Sequence, residues 1–543
     1  MAEDCRLPGF TRALCPGKKA ISKSEIQNPC SPQPAAYSLS ICLLLAVFFG
    51  NICRADPPSF AVTNYGVASA PAPEQTNTAF ACIMHVHTRM SSGNYQLPEL
   101  TQIAQTQGVD AIFLSDNLME PIEFGLPPFR HIFWASHQEK PSVLALGVKR
   151  CLAEVRRENE RQQDILYIPG VELVPRFFWS GSLRSTNLVC HNHQRNLIVL
   201  GTQDAHDLVS LPAAVGYVSG RDTGWIIATR LLLLLFIGGC AGLIFMPRLL
   251  AQCSGLRVGA IRRAWLGGLL LPLVLAMAVV NGVALMMPAF NIYSLDDPAR
   301  FEQRVLDALK RQNLLSFWAS PEATDHQEFK YGGVPFAVDT RAFPEVLLKT
   351  RGYTGFAGVN EGENKFVDPG SIWDMVLKQY LDGKRDEPPW CFGEMLYHYE
   401  GQAGKKLSNV ETMVWAPEKK AAALLESIRK GYFYARSNYR GQALTLDQWQ
   451  VDRWESGQTG HTTNGTVDIS LRVNAKIPGE KAEVLIIRNG EVIKKADMPL
   501  PLELNLWDRP QEARVYYRAV VSGKYPVRLV TNPVFIRRRH DLL

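Results

Sequence analysis

Short apolar runs recur along the first four fifths of the chain, at 79–87, 110–116, 164–172, 196–201, 314–320, 354–360 and, more weakly, 390–398. Each has the length of a strand. Between them lie stretches with apolar residues at helical spacing, such as LPELTQIAQTQG and FEQRVLDALKRQN. Strands alternating with helices predict parallel βα units, and seven such units predict a closed barrel. With 202–300 set aside, residues 79–436 match the roughly 250 residues of a βα barrel. From about 450 the period changes. Val467, Ile469, Leu471 and Val473 alternate with polar residues, and AEVLIIR and EVIKKA flank Asn489-Gly490, a strong hairpin signal. This end predicts a small antiparallel β-sandwich over 450–540.

Other apolar runs break this pattern. Residues 39–49 (LSICLLLAVFF) follow a tract with Lys18, Lys19 and Lys23 and precede NICRAD. That is the layout of a signal peptide or N-terminal anchor over 1–55. Residues 231–246, extended by 225–229, and residues 264–290 are uncharged and long enough to span a bilayer. Their connector holds Arg248, Arg257, Arg262 and Arg263 and no acid, which predicts a cytoplasmic connector. The expectation is a transmembrane hairpin over 224–290, inserted in a barrel domain over 79–440. The soluble parts then lie on the extracytoplasmic (periplasmic) side, with the lipid bilayer as partner. A segment that follows a barrel strand leaves from the face that carries the site. The hairpin therefore predicts either a site turned to the membrane, with a membrane-associated substrate, or a tether that only anchors the barrel.

A chain of 543 residues implies two or three units. The net charge of +6, without a basic stripe interleaved with aromatics, argues against nucleic acid as a partner. Of the 11 cysteines, Cys82, Cys151, Cys190 and Cys391 fall in the soluble part, and none forms a CxxC pair. Four cysteines in an exported domain are compatible with two disulfides of open pairing.

His85-Val86-His87 ends the first strand run. Residues i and i+2 of a strand point the same way, so both imidazoles can reach one metal ion. The ends of other strand runs carry Asp116, Asn117, Glu172, Ser320 and His398, and His191 and His193 precede the fourth. In a βα barrel, residues at such ends build the active site.

In order, HVHT, SDN, PGVE, HNHQRNLIVLG, WASPEA and EMLYH resemble the motifs of the PHP (polymerase and histidinol phosphatase) family. The resemblance covers most of 79–437 apart from the insert. It implies a distorted (β/α)7 barrel, interrupted here by the two-helix transmembrane insert and followed by the β-sandwich. It also implies that His85 and His87 bind a first metal, that Glu172 bridges two, and that His398 is the histidine of the family's DxH element. Ser92, Asn117, Ser320 and Leu396 stand where the family has ligands, so a full three-metal site is not expected. His85, His87 and Glu172 remain, with His191, His193, Glu394 and His398 as completions. Imidazoles and a carboxylate suit a divalent transition metal (zinc, manganese or iron), at one or two ions. The implied activity is an exported, membrane-tethered, metal-dependent hydrolase. A phosphoesterase near the membrane surface fits best, with Glu172 and Asp116 in catalytic roles and a metal-activated water as nucleophile. The competing reading is a catalytically degenerate barrel that binds a ligand or partner. A transporter is disfavoured, since neither apolar span carries an acid or histidine.

Overall fold

A computed structural model of the chain describes residues 77–119, 121–125, 134–139, 141–182, 185–209, 211, 298–331, 334–360, 362, 364–439, 441–462 and 465–538. The expected signal segment 1–55 and hairpin 224–290 lie outside the described residues. Among the described residues, no helix is long and apolar enough to cross a membrane.

The first strand, β1 (Thr78–Val86), is buried along its last six residues. Both its faces are covered, which explains a continuous apolar run rather than an alternating one. The helix Leu97–Thr106 follows, opened by Pro98 in its first turn and by the Gln96 N–H donating to Glu99 Oε2 at 2.8 Å. Next come β2 (Ala111–Leu114), β3 (Asp116–Asn117) and the hairpin β4 (Pro121–Gly125) with β5 (Trp134–Glu139). Two helices, Val143–Leu146 and Val148–Arg161, lead into β6 (Leu166–Ile168) and β7 (Gly170–Leu173). Pro169 separates those two strands; it has no N–H to give to a ladder. The hairpin β8 (Phe178–Ser180) and β9 (Leu188–His191) precedes β10 (Leu197–Leu200) and the helix Ala205–Val209. After the helix Pro298–Arg311 come β11 (Leu315–Trp318), β12 (Asp325–Tyr331), β13 (Val334–Thr340), the helix Pro344–Lys349 and β14 (Gly355–Val359). The helix Ile372–Leu381, β15 (Trp390–Gly393), β16 (Val410–Ala416), the helix Ala421–Lys430 and β17 (Phe433–Ser437) complete this part.

The closed, seven-stranded parallel barrel expected from the sequence does not form. All seven apolar runs are strands, but they divide between two sheets. One has the order β15-β14-β11-β10-β7-β3, while β1, β2 and β6 belong to another. Strand β10 is antiparallel to both β7 and β11, and β1 is antiparallel to β16. The reason lies in the connections. A parallel pair needs a crossover of a dozen or more residues, usually a helix. Between β7 and β10 the chain instead makes the β8–β9 hairpin. That hairpin joins β12 and β13 in a four-stranded sheet, β12-β13-β9-β8, which the sequence reading did not anticipate.

The C-terminal strands are β18 (Leu444–Val451), β19 (Trp454–Glu455), β20 (Thr459–Thr462), β21 (Val467–Ala475), β22 (Lys481–Arg488), β23 (Glu491–Pro499), β24 (Leu502–Asp508), β25 (Arg514–Ser522), β26 (Arg528–Thr531) and β27 (Val534–Arg538). Asn489 (φ 49°) and Gly490 (φ 91°) make the tight turn between β22 and β23. A free-standing sandwich is likewise not what forms. Strand β26 pairs with β17, so β20, β27, β25, β26 and the β22–β23 hairpin extend the sheet that contains β1. Only β19-β18-β21-β24 stand apart as a second layer. Residues Glu74–Leu543 accordingly form one compact unit.

Candidate metal centre

His85 and His87 come from the end of β1, where the strand is irregular. The β1–β2 register shifts between Ile83 and Val86, and His85 has φ 67°. A histidine in the left-handed region is uncommon and persists only where its surroundings hold it. The kink leaves the two imidazole centroids 5.1 Å apart, both rings buried. Glu172 reaches them from β7, opposite Asn117 of β3. His85 Nε2 lies 3.0 Å from Glu172 Oε1, and His87 Nε2 lies 3.5 Å from Glu172 Oε2. One ligand atom from each of the three falls within 4.8 Å of the others, the only such group of His, Cys, Asp or Glu among the described residues.

The surroundings of the trio are specific. His85 Nδ1 contacts Glu394 Oε1, and Glu394 Oε2 accepts from Ser320 N at 2.8 Å and Ser320 Oγ at 2.9 Å. Ser91 Oγ donates to Asp116 Oδ1 at 2.7 Å and sits 3.3 Å from His87 Nδ1. A hydroxyl has one proton to give. With that proton on Asp116, Ser91 accepts from His87 Nδ1–H, which leaves Nε2 as the lone-pair nitrogen. Asn117 Nδ2 donates to Glu172 Oε2 at 2.9 Å, and Ser92 Oγ donates to Asn117 Oδ1 at 3.0 Å. His398 stacks on His87 at 4.6 Å with its Nδ1 3.2 Å from Ser92 Oγ.

A metal ion fits this group on a direct observation. His87 Nε2 is a buried polar atom with no hydrogen-bond partner, and the buried His85 Nε2 and Glu172 Oε1 face only each other, 3.0 Å apart. Such atoms are costly unless something else satisfies them. The electrostatics favour positive charge between the two carboxylates. Burial opposes a charged His85, but the Glu172 and Glu394 carboxylates overcome it and raise the imidazole to about 10. Burial, then the neighbouring His85 and His398, hold His87 well below the ordinary imidazole value. The residues present can therefore hold a divalent metal.

The other sequence candidates fall elsewhere. Asp116 is buried and accepts from Thr88 N (2.7 Å), Thr88 Oγ1 (2.8 Å) and Ser91 Oγ (2.7 Å), so it shapes the turn after His87. Burial raises its carboxyl above the usual value against those hydrogen bonds. His191 lies in the four-stranded sheet, its Nε2 2.7 Å from Ser180 Oγ, its Nδ1 3.7 Å from Asp339 Oδ2 and its ring stacked on Phe178. His193 is buried beside the Phe177 ring at 5.6 Å. Neither belongs to the converging group. Sequence reasoning missed Thr88 and Ser91, because only the folded turn brings them to Asp116. A cavity beside that turn is lined by Thr88, Arg89, Gln96, Arg150, Cys151 and Glu154.

Cys82, Cys151, Cys190 and Cys391 are all free and buried, so they form no disulfides.

No protein-family model matches the chain, and no curated protein sequence matches it. Solved structures show distant likeness. A two-domain protein from Bacteroides vulgatus, described as containing a predicted PHP-like metal-dependent phosphoesterase, is 12% identical over 81% of this chain and 90% of its own, with a TM-score of 0.31. A CARDB domain from Pyrococcus furiosus, in complex with di-metal ions, is 18% identical over 18% of this chain and 93% of its own, with a TM-score of 0.14. At these scores the likenesses decide neither fold nor activity, and the chemistry has to be read from the site itself.

Proposed function

We propose that the protein is a metal-dependent hydrolase of phosphate esters, centred on His85, His87 and Glu172. The observation that carries this reading is the convergence of three buried donor atoms, His85 Nε2, His87 Nε2 and Glu172 Oε1, that have no partner outside the trio. The motif order that resembles the PHP family supports the phosphoester class. Two imidazoles and a carboxylate suit zinc, manganese or iron. Such an ion, when bound, polarises a phosphoryl oxygen and makes water a nucleophile at neutral pH. The chain's own residues do the rest. Glu394 and Ser91 fix which nitrogen each imidazole presents. Asn117 holds one oxygen of Glu172 and so aims the other. Asp116, tied to Thr88 and Ser91, shapes the turn that carries Ser91 and Ser92. From the sequence runs at 39–49 and 264–290 we further infer an extracytoplasmic location, with the lipid bilayer as partner and a membrane-linked phosphate ester or envelope polymer as substrate.

The test is reconstitution of the purified chain with Zn²⁺ or Mn²⁺, followed by turnover of p-nitrophenyl phosphate and bis(p-nitrophenyl) phosphate. Metal-dependent turnover that His85→Ala/His87→Ala removes is the expected result. A metal-loaded chain that turns over neither ester refutes the hydrolase and favours the ligand-binding alternative. Sedimentation of the full chain with membranes tests the bilayer as partner; recovery in the soluble fraction refutes that partner.

A further inference from the structure

We infer that the centre is built for a single ion and that Glu394 is its positioning residue. This inference rests on the reading of His85, His87 and Glu172 as the metal-holding group. Each of the three has two side-chain polar atoms able to bind a metal, and one of each pair is already engaged. His85 Nδ1 is taken by Glu394, His87 Nδ1 by Ser91, and Glu172 Oε2 by the Asn117 amide at 2.9 Å. The opposite atoms, His85 Nε2, His87 Nε2 and Glu172 Oε1, face one another and have no partner outside the trio. That count leaves three donors for one ion and no second set.

The neighbouring polar groups do not supply a second set either. Both oxygens of Glu394 are engaged, one by His85 and the other by the backbone and hydroxyl of Ser320. Asn117 spends its amide on Glu172 and its carbonyl on Ser92, whose hydroxyl also meets His398 Nδ1 at 3.2 Å. Asn117, Ser92 and His398, linked by these contacts, therefore line the side of Glu172 that carries Oε2. Two histidines and one carboxylate leave open coordination positions on the ion they hold.

Glu394 is not a ligand in this arrangement, yet it sets the ligand. Its carboxylate accepts from His85 Nδ1–H, which fixes the tautomer and the ring plane and strengthens Nε2 as a donor. Removing such an outer partner typically weakens metal binding by about 10–100-fold. Ser320 holds the carboxylate in turn, and its own φ of 37° shows that the turn after β11 is bent to deliver it.

The experiment is Zn²⁺ titration of the metal-free full chain by calorimetry, with elemental analysis of the loaded protein and the visible spectrum of the Co²⁺ form. The wild type is expected to bind one ion per chain. Glu394→Gln is expected to keep that stoichiometry, to bind Zn²⁺ about 10–100-fold more weakly, and to shift the Co²⁺ spectrum. Its metal-free circular dichroism is compared with the wild type to separate positioning from misfolding. Two or more ions per wild-type chain overturn the single-ion inference, whatever the variant does. A folded Glu394→Gln chain with wild-type affinity and spectrum overturns the positioning role. One bound ion without ester hydrolysis supports this inference while refuting the phosphoesterase. Hydrolysis with two bound ions refutes this inference alone.

Discussion

Replacing Asp374 with alanine should destabilise the protein by about 3–5 kcal/mol, the usual cost of removing one partner of a buried ion pair. Asp374 lies on the helix Ile372–Leu381, and Arg518 on β25 is fully buried against it. The carboxylate accepts from Arg518 Nε at 2.8 Å, Arg518 Nη2 at 2.6 Å, Tyr516 Oη at 2.7 Å and Gly370 N at 2.8 Å. Without it, the contacts left to Arg518 are a 3.4 Å bond from Nη2 to Asp368 O and the Trp373 ring 4.8 Å from Cζ. Neither neutralises a buried guanidinium. Replacing both charges removes that penalty. Asp374→Ala/Arg518→Met should then lose only the Tyr516 and Gly370 hydrogen bonds, each worth about 1 kcal/mol. The double variant should therefore be more stable than Asp374→Ala by about 1–3 kcal/mol, the difference between the loss of the buried partner and the loss of two hydrogen bonds. Urea unfolding followed by tryptophan fluorescence, to which the adjacent Trp373 contributes, measures both. A loss below about 1 kcal/mol for Asp374→Ala, or a double variant no more stable than the single, would show that the pair does not clamp the two parts together.

Three further outcomes are expected. A Cβ at Gly93 would lie 2.1 Å from His87 O and 2.7 Å from Thr88 N, so Gly93→Ala must move the turn beside the centre; a cost of about 1–3 kcal/mol and weaker Zn²⁺ binding are expected, and unchanged affinity would contradict it. Burial raises Cys151 to about 11 and Cys391 to about 12, and raises Cys82 and Cys190 as well; thiolate forms only as pH rises towards those values, so these four should resist iodoacetamide at pH 7–8 in the native chain and react once it is unfolded, as peptide-resolved mass spectrometry would show. A chain stopped after residue 439 loses β26 from the edge of β17 and the Asn532 side chain that bonds Cys391 N at 2.9 Å and Phe433 O at 3.1 Å; it should fail to fold, and a soluble, Zn²⁺-binding truncation would refute the integration of the C-terminal strands.

The sequence by itself determined where the chain extends and where it turns. The run 79–87 contains β1, 196–201 contains β10, and Asn489-Gly490 makes the turn between β22 and β23. These features are local. Alternation, apolar continuity and turn chemistry depend on near neighbours along the chain, so they can be read from spacing. Strand partners are not local. The same apolar run suits a parallel or an antiparallel neighbour, and the antiparallel pairs β7–β10, β10–β11 and β1–β16 join partners that local spacing does not specify. Alternation from 467 to 473 showed which side of β21 faces a core, but not that β26 would join β17. At the centre, the i and i+2 spacing of His85 and His87 is a sequence feature. Their meeting with Glu172, the separation of His191 and His193 from them, and the engagement of Glu394 and Ser91 required the tertiary structure. Side chains far apart in sequence share a donor or an acceptor only after the strand ends are brought together. The kink at His85, φ 67°, depends on that assembly and leaves no mark in the spacing of the chain.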